Sequence, residues 1–449
     1  MKLVVRGERV VMPDGVGPAS INIHDGRIVR IGAYSERPAG VAELDAGSSV
    51  VLPGLVDTHV HLNDPGRSDW EGFDSGTRAA AAGGVTTVVD MPLNSVPATT
   101  SAEALDAKIA AASGRCHVDV AFWGGVVPGN AAELEALARG GVVGFKAFLA
   151  PSGVEEFEHV AEKDLRGALP VLARLGLPLL VHAEWPGLLR EPDPRADPCS
   201  YGTWLESRPP ESEHEAVDLL IRLAREFDTH IHIVHLASAG ALPSLNAARA
   251  AGVRVTVETC PHYLTFAADE IGRGATPYKC APPIRETRNR ERLWTALMNG
   301  EIDLVATDHS PAPPALKRLE EGDFIRAWGG IASLQIGLSA VWTGAASRQI
   351  GIERVAAWLA TAPARLAGLH QAKTKGSIAV GCDADLVIWD SDVDATVDAS
   401  TLYHRHPITP YAGMRLRGRV RATLLRGDVV YREGAFDAEC RGRVLRRQC

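Results

Sequence analysis

Six polar side chains close apolar runs in this chain, and their types suit a metal centre. The run VLPGLVDTHVHL, Val51 to Leu62, ends in His59 and His61. On a β-strand alternate side chains share a face, so both imidazoles would leave the end of a buried strand in one direction. By itself an H-x-H fits a packed or solvated pair as well as two ligands. Other runs close in the same way: VVGFKAFL carries Lys146, LPLLVHAE His182, HIHIVHLA His235 and IDLVATDHS Asp308. Four neutral imidazoles and one carboxylate suit borderline divalent metals, zinc foremost. They are too many for one tetrahedral ion with an open position, whereas two ions roughly 3.5–4 Å apart would use them all. A pair of dications needs negative charge between them, and Asp308 is the one anion of the set. Lys146 can supply more. Beside two dications it is disfavoured as an ammonium, and the free amine can add carbon dioxide to give a carbamate with one oxygen for each metal. Taken alone, a lysine at a strand end also fits one that snorkels to solvent.

These residues need a scaffold that brings several strand ends to one place. Eight β-branched, apolar runs recur: the one before His59, TTVVDMP at Thr86, HVDVAFWGG at His117, VVGFKAFL at Val142, LPLLVHAE at Leu177, HIHIVHLA at His230, VRVTVETC at Val253 and IDLVATDHS at Ile302. Helical patterns such as AAELEALARGG and HEAVDLLIRLAREF lie between them. Fully apolar strands alternating with helices predict a parallel sheet covered on both faces. Eight units over residues 53–374 predict an α/β fold, a (β/α)₈ TIM-like barrel, whose active site lies at the carboxyl ends of the strands. Residues 1–52 and 375–449 read instead as short strands and turns, with Pro13-Asp14-Gly15 and Asp25-Gly26 as turn signals. Strands at the two ends of a barrel most simply pair with each other, which predicts one small β-sandwich module built from both termini.

Two polar, Pro-rich insertions, Arg190 to Thr203 and Pro311 to Asp323, follow strand ends that carry ligand candidates. They fit loops that cover a site and equally well ordinary surface connections. Arg441 to Arg447 reads as a solvated basic terminus. His230 and His232 sit lower on the strand of His235. His262 ends the seventh strand, where lining the pocket and packing are both open. His309 would face away from Asp308. His117, His159, His214, His370, His404 and His406 carry no pattern.

With 46% hydrophobic and 23% charged residues, the chain has an ordinary globular enzyme composition. A formal net charge of −8 speaks against nucleic acid or an anionic membrane surface as partner. No run approaches the ~20 apolar residues of a membrane span, and the charged start does not fit a signal peptide. The seven cysteines are scattered, odd in number and without a C-x-x-C pair. That argues against a disulfide framework and for a reducing, cytoplasmic setting.

DTHVHL, GFKAFL, LLVHAE, IVHLAS and ATDHS together resemble the cyclic amidohydrolases of the amidohydrolase superfamily, a group with dihydroorotases, hydantoinases and allantoinases. The resemblance covers nearly the whole chain. It implies a barrel with two metals bridged by carbamylated Lys146 (N6-carboxylysine), hydrolysis of a ring amide, and a homotetramer. Within the group, HLNDPGRSDWEGFDSGTRAAAAGGVTTVVDMPLNS, ESRPP, KCAPPIR, DHSPAPPALK and AWGGIASLQ are similar to allantoinase segments. Dihydroorotases typically carry an arginine for the substrate carboxylate where this chain has Asn63, and usually M-P-N-T where it reads Met91-Pro92-Leu93-Asn94. Asp64 and Ala312 depart from the usual allantoinase pattern, which favours glutamate and cysteine there.

The resemblance implies that His59, His61 and Asp308 hold one metal and His182 and His235 the other. A hydroxide between the metals would open the hydantoin ring of allantoin to allantoate, with Asp308 as general acid/base. A neutral, amide-rich substrate predicts binding by peptide and amide groups rather than a cation, with Asn63, Asn94, Cys280–Ala281, Ser310 and Gly329–Gly330 as candidates by position. The competing readings are a hydantoinase or dihydropyrimidinase and, more remotely, a non-catalytic structural homologue. The last would have lost ligands, and all six positions are filled.

Overall fold

The computed structural model describes residues 2–370 and 374–447; Cys449 lies outside them. All eight apolar runs become barrel strands. The first is Leu55–Val60, followed by Val85–Asp90 and by a third in two pieces, Asp119–Phe122 and Gly124–Gly125. Phe145–Phe148, Leu179–His182, Ile231–Ile233, Val255–Thr259 and Leu304–Val305 complete the set. Neighbours pair in parallel in chain order. A parallel bridge from Val60 to His309 closes the ring between first and last strands. The first, second, fourth and fifth strands are buried at every position, which is why their sequences run apolar rather than alternating.

Each strand is followed by a helix of the outer ring. Glu162–Leu175 shows the pattern: Leu165, Ala168, Leu169 and Leu172 face inward at helical spacing, and Gly176 ends it in the left-handed conformation. These connections return the chain to the same end of the barrel, so the carboxyl ends of all strands gather around one opening.

The termini form one nine-stranded, mainly antiparallel sheet. The strand Val50–Pro53 joins its halves, pairing with Arg9–Val10 on one side and with Leu386–Trp389 on the other. Val5, Ile21, Ile23, Val51, Ile388 and Leu424 give this unit a core distinct from that of the barrel.

An ionic clasp ties the two cores together. Lys375 is 1% exposed, and its Nζ lies 2.6 Å from Asp119 on the third barrel strand, 2.7 Å from Asp385 and 3.1 Å from Asp383. Arg426 adds a second contact to Asp119 at 2.5 Å. Burial disfavours the Lys375 ammonium, but the charges of Asp385, Asp119 and Asp383 outweigh it and hold the group charged. Removing one partner of a buried charge cluster leaves the others uncompensated and costs roughly 3–5 kcal/mol. Lys375→Ala is therefore expected to lose a large part of a typical ~5–15 kcal/mol of stability, seen as a lower urea midpoint.

One sequence expectation is corrected, and one choice left open by the sequence is decided. The basic segment Arg441 to Arg447 is not a solvated terminus. It runs beside the third barrel strand, with Val120 N donating to Arg443 O at 2.9 Å and Leu445 N to Val120 O at 2.7 Å. Nor do the two insertions wall the opening. They pack on each other, with Phe324 N donating to Pro198 O and Cys199 Sγ to Glu321 O.

Candidate active site and metal centre

The strand ends bring the six candidate ligands together, all of them buried. The Nε2 atoms of His59 and His61 lie 3.2 and 3.5 Å from Asp308 Oδ1. His182 Nδ1 faces His235 Nε2 at 3.1 Å. Ligand bonds of ~2.0–2.1 Å at tetrahedral angles separate two donor atoms by about 3.3 Å, so each group has the spacing of ligands to one ion. The groups adjoin, with the rings of His59 and His235 5.3 Å apart. Lys146 lies beneath the opening, wholly buried, its Nζ without a hydrogen-bond partner. It sits 4.8 Å from the Phe148 ring, which in turn stacks on His182 at 4.7 Å.

Burial sets the charge states. It lowers the pKa of His61, His182 and His235, keeping these rings neutral and able to ligate. It brings the Lys146 ammonium down to about 7, only partly offset by Glu258 and Asp308. Burial also opposes ionisation of Asp308, but His59, His61 and His235 outweigh it and hold the carboxyl well below the usual range. A donor set of neutral imidazoles, an ionised carboxylate and an orphaned buried amine fits divalent metal.

A surrounding layer aims these groups. Glu258 Oε1 accepts from His59 Nδ1 at 2.5 Å, and its other oxygen accepts from His232 Nε2 at 3.1 Å. With Nδ1 donating, His59 must present Nε2 inward. Glu184 does the same for His182, accepting from Nε2 at 2.7 Å while also pairing with Arg208. Both carboxyls stay ionised at about 2: burial opposes this, but His59 and His232 prevail at Glu258, and Arg208 and His182 at Glu184. Asp57 accepts from His59 N at 3.1 Å and from Thr307 Oγ1 at 2.5 Å, which fixes the first strand against the last.

The backbone is bent to the same end. Asn63, Asn94, His235 and Asp308 have φ of 65°, 65°, 40° and 46°, a region non-glycine residues seldom adopt and that clusters at functional sites. Sequence reasoning missed Glu258 and Glu184. Each is a carboxylate inside or directly after an apolar run, and that was the available signal. Glu258→Gln is expected to weaken metal affinity about 10–100-fold, which titration with a competing chelator would measure.

The opening leads to a cavity of about 230 Å³. Asn94, Cys280, Ala281, Ser310, Gly329 and Gly330 line it, as the sequence suggests, together with Phe148, Pro151, Ser152, Gly153, Trp204, Arg208, Lys279 and Trp328. Gly330 has φ 118°, and a Cβ there would come within 2.3 Å of Ser310 O. Asn63 is placed differently from the sequence reading. It is 1% exposed and off the cavity wall, with neither amide atom hydrogen-bonded to protein.

Two cations stand in the wall, where peptide and amide groups alone are expected, but both are already committed. Arg208 pairs with Glu184, and Lys279 Nζ donates to Ala327 O at 2.6 Å and Ile325 O at 3.0 Å. The insertion Pro311 to Asp323 supports the wall from behind, since Lys317 donates to Trp328 O and Gly330 O. Among the remaining histidines, His230 and His232 bond Thr256. His309 packs between Glu71, the Ser333 amide and His404. His262 is buried outside the cavity wall, near Asp308.

Comparison with known proteins follows the same line. The Amidohydrolase family profile matches residues 50–188, and a second profile of that description matches residues 338–431. An allantoinase of Streptomyces avermitilis is 47% identical over 449 residues, spanning 100% of this chain and 99% of that protein. An allantoinase of Arabidopsis thaliana is 45% identical, spanning 98% and 90%. Among solved structures, the L-hydantoinase (dihydropyrimidinase) of Arthrobacter aurescens superposes with a TM-score of 0.92 at 32% identity, covering 99% of both chains. Dihydropyrimidinase from Brevibacillus agri gives 0.90 at 30% identity, covering 100% of this chain and 99% of that one. Identity at this level over full lengths places the chain in the amidohydrolase family, among its allantoinases.

Proposed function

We propose that this chain hydrolyses the ring amide of allantoin to give allantoate. The observation that carries the reading is the wall of the cavity. It offers amide, hydroxyl and peptide groups, including a buried Asn94 Oδ1 without a protein partner, and both of its cations are neutralised or capped within the protein. A neutral ureido ring needs such donors and acceptors. A substrate carboxylate would need a free guanidinium or ammonium in charge-assisted geometry.

His59, His61 and Asp308 would hold one divalent ion and His182 and His235 a second, and Lys146, as its carbamate, would supply the negative charge the two ions share. When bound, such a pair, most simply zinc, polarises the ring carbonyl and lowers the pKa of the attacking water. The chain's own groups do the rest. Asp308 takes the proton from the attacking water and delivers it to the departing ring nitrogen, general acid–base work worth typically ~10²–10⁴ in rate. Glu258 and Glu184 keep His59 and His182 in the ligating tautomer. Asn94, Ser310, the Cys280–Ala281 peptide and Gly329 orient the ring, while Gly330 shapes the wall, its N–H being given to Lys279 O at 2.8 Å.

A turnover panel tests the substrate. Metal-loaded enzyme is expected to open allantoin faster than hydantoin or dihydrouracil and to leave dihydroorotate essentially untouched. The likeness to hydantoinase structures favours a second reading, with broader substrates, and faster opening of simple hydantoin would select it. The homotetramer implied by the family resemblance is checked by light scattering on the purified protein. A cytoplasmic location is supported by Cys116, Cys199, Cys260, Cys280 and Cys440, whose thiols form no disulfide. No helix among the described residues is long and apolar enough to cross a membrane.

A further inference from the structure

Outside the catalytic opening, three side chains of different chemistry meet on the outer wall of the barrel. Asp74 lies in the first turn of the helix Phe73–Ala82, His117 comes two residues before the third strand, and Cys440 comes from the C-terminal segment. One nitrogen, His117 Nε2, lies 3.1 Å from Asp74 Oδ1 and 3.7 Å from Cys440 Sγ. The three donor atoms all fall within 4.8 Å of one another. A neutral imidazole nitrogen either donates to one of these partners or accepts from the other. It cannot satisfy both, whereas a cation between the three atoms can.

The spacing supports that reading. Bonds to zinc of ~2.0–2.1 Å from nitrogen, ~2.0–2.2 Å from carboxylate oxygen and ~2.3 Å from sulfur give tetrahedral edges of about 3.3 Å for N···O and about 3.6 Å for N···S. The two edges from His117 Nε2 match within a few tenths of an ångström. Local structure holds each donor in place. His117 is 3% exposed, and its backbone N–H donates to Thr77 Oγ1 at 3.0 Å, one turn along the helix from Asp74. Cys440 is positioned by Gly442, whose N–H donates to Cys116 O at 2.8 Å and where a Cβ would come within 2.0 Å of Val118 O. The competing cation is Arg78, which reaches Asp74 Oδ1 at 3.2 Å. Arg78 and His117 meet the same oxygen, so an ion bound to Oδ1 would displace the guanidinium toward the second carboxylate oxygen.

We propose that Asp74, His117 and Cys440 form a second metal site, separate from the catalytic centre. It would take a zinc-type divalent ion with the thiol bound as thiolate and water in the fourth, solvent-facing position. A thiolate with an imidazole selects this class over magnesium or calcium. Its effect would be to pin the C-terminal segment against the barrel wall.

The test uses the whole purified enzyme equilibrated with zinc or with cobalt(II) ions alone. Wild-type protein is expected to retain one more ion per chain than Cys440→Ser or Asp74→Asn, a difference that holds whatever number the catalytic centre carries. The cobalt form should show a near-ultraviolet thiolate-to-metal band that both variants lose, while their allantoin turnover stays at the wild-type level. Asp74 is half exposed, so its substitution tests the site even if replacing Cys440 impairs folding. Equal metal content in wild type and Asp74→Asn, or a cobalt band that survives Cys440→Ser, overturns the proposal.

Discussion

Lys146→Ala is expected to lower allantoin turnover by at least about 10³-fold, because the group that would share negative charge between two metals disappears and the ions then repel each other. The structure makes this the most exposed position in the mechanism. Lys146 is wholly buried and its Nζ has no hydrogen-bond partner. An amine held that way costs free energy unless it gains a partner, and a carbamate reaching the ligands supplies one. Metal content per chain should fall together with turnover. A short carboxylic acid added with metal should restore part of both, since it can occupy the space the side chain leaves. Full activity with two metals in Lys146→Ala would rule the carbamate out.

Asp308→Asn is expected to reduce kcat by about 10³-fold or more with the barrel intact, combining loss of proton transfer with some disturbance of the metal. Asp308 Oδ1 stands between the Nε2 atoms of His59 and His61, so an amide at this position keeps the shape and removes both the charge and the basicity. The fall should appear in kcat more than in KM, because the lost interaction belongs to the transition state. An Asp308→Asn protein that keeps its metals and an unchanged kcat would show that another group moves the proton. His262, buried close to Asp308, would then be the first to examine by substitution.

Much of this protein is legible along the chain. The eight barrel strands are continuous apolar runs because a parallel sheet covered on both faces leaves no solvated side to mark by polar residues. For the same reason His59, Lys146, His182, His235 and Asp308 stand out: a polar group closing such a run is costly unless it is used. Local sequence also places the terminal strands outside the barrel, through their turns.

Other features depend on residues far apart in sequence, and only the tertiary structure decides them. The ring nitrogen that His59 presents is set by Glu258, 199 residues away, and that of His182 by a carboxylate that Arg208 also grips. Asn63 follows the His59–His61 pair closely in sequence but is buried off the cavity wall, whereas Asn94, with the same left-handed backbone, lines it. The basic C-terminal segment looks solvated by composition, yet it lies against the third barrel strand because Val120 there has backbone groups to satisfy. Lys375 meets Asp119, 256 residues away, and Asp383 and Asp385 only when the chain folds. Periodicity and residue type report what a segment must bury. Which partner it meets depends on how the closed barrel brings distant segments together, and short-range pattern does not encode that.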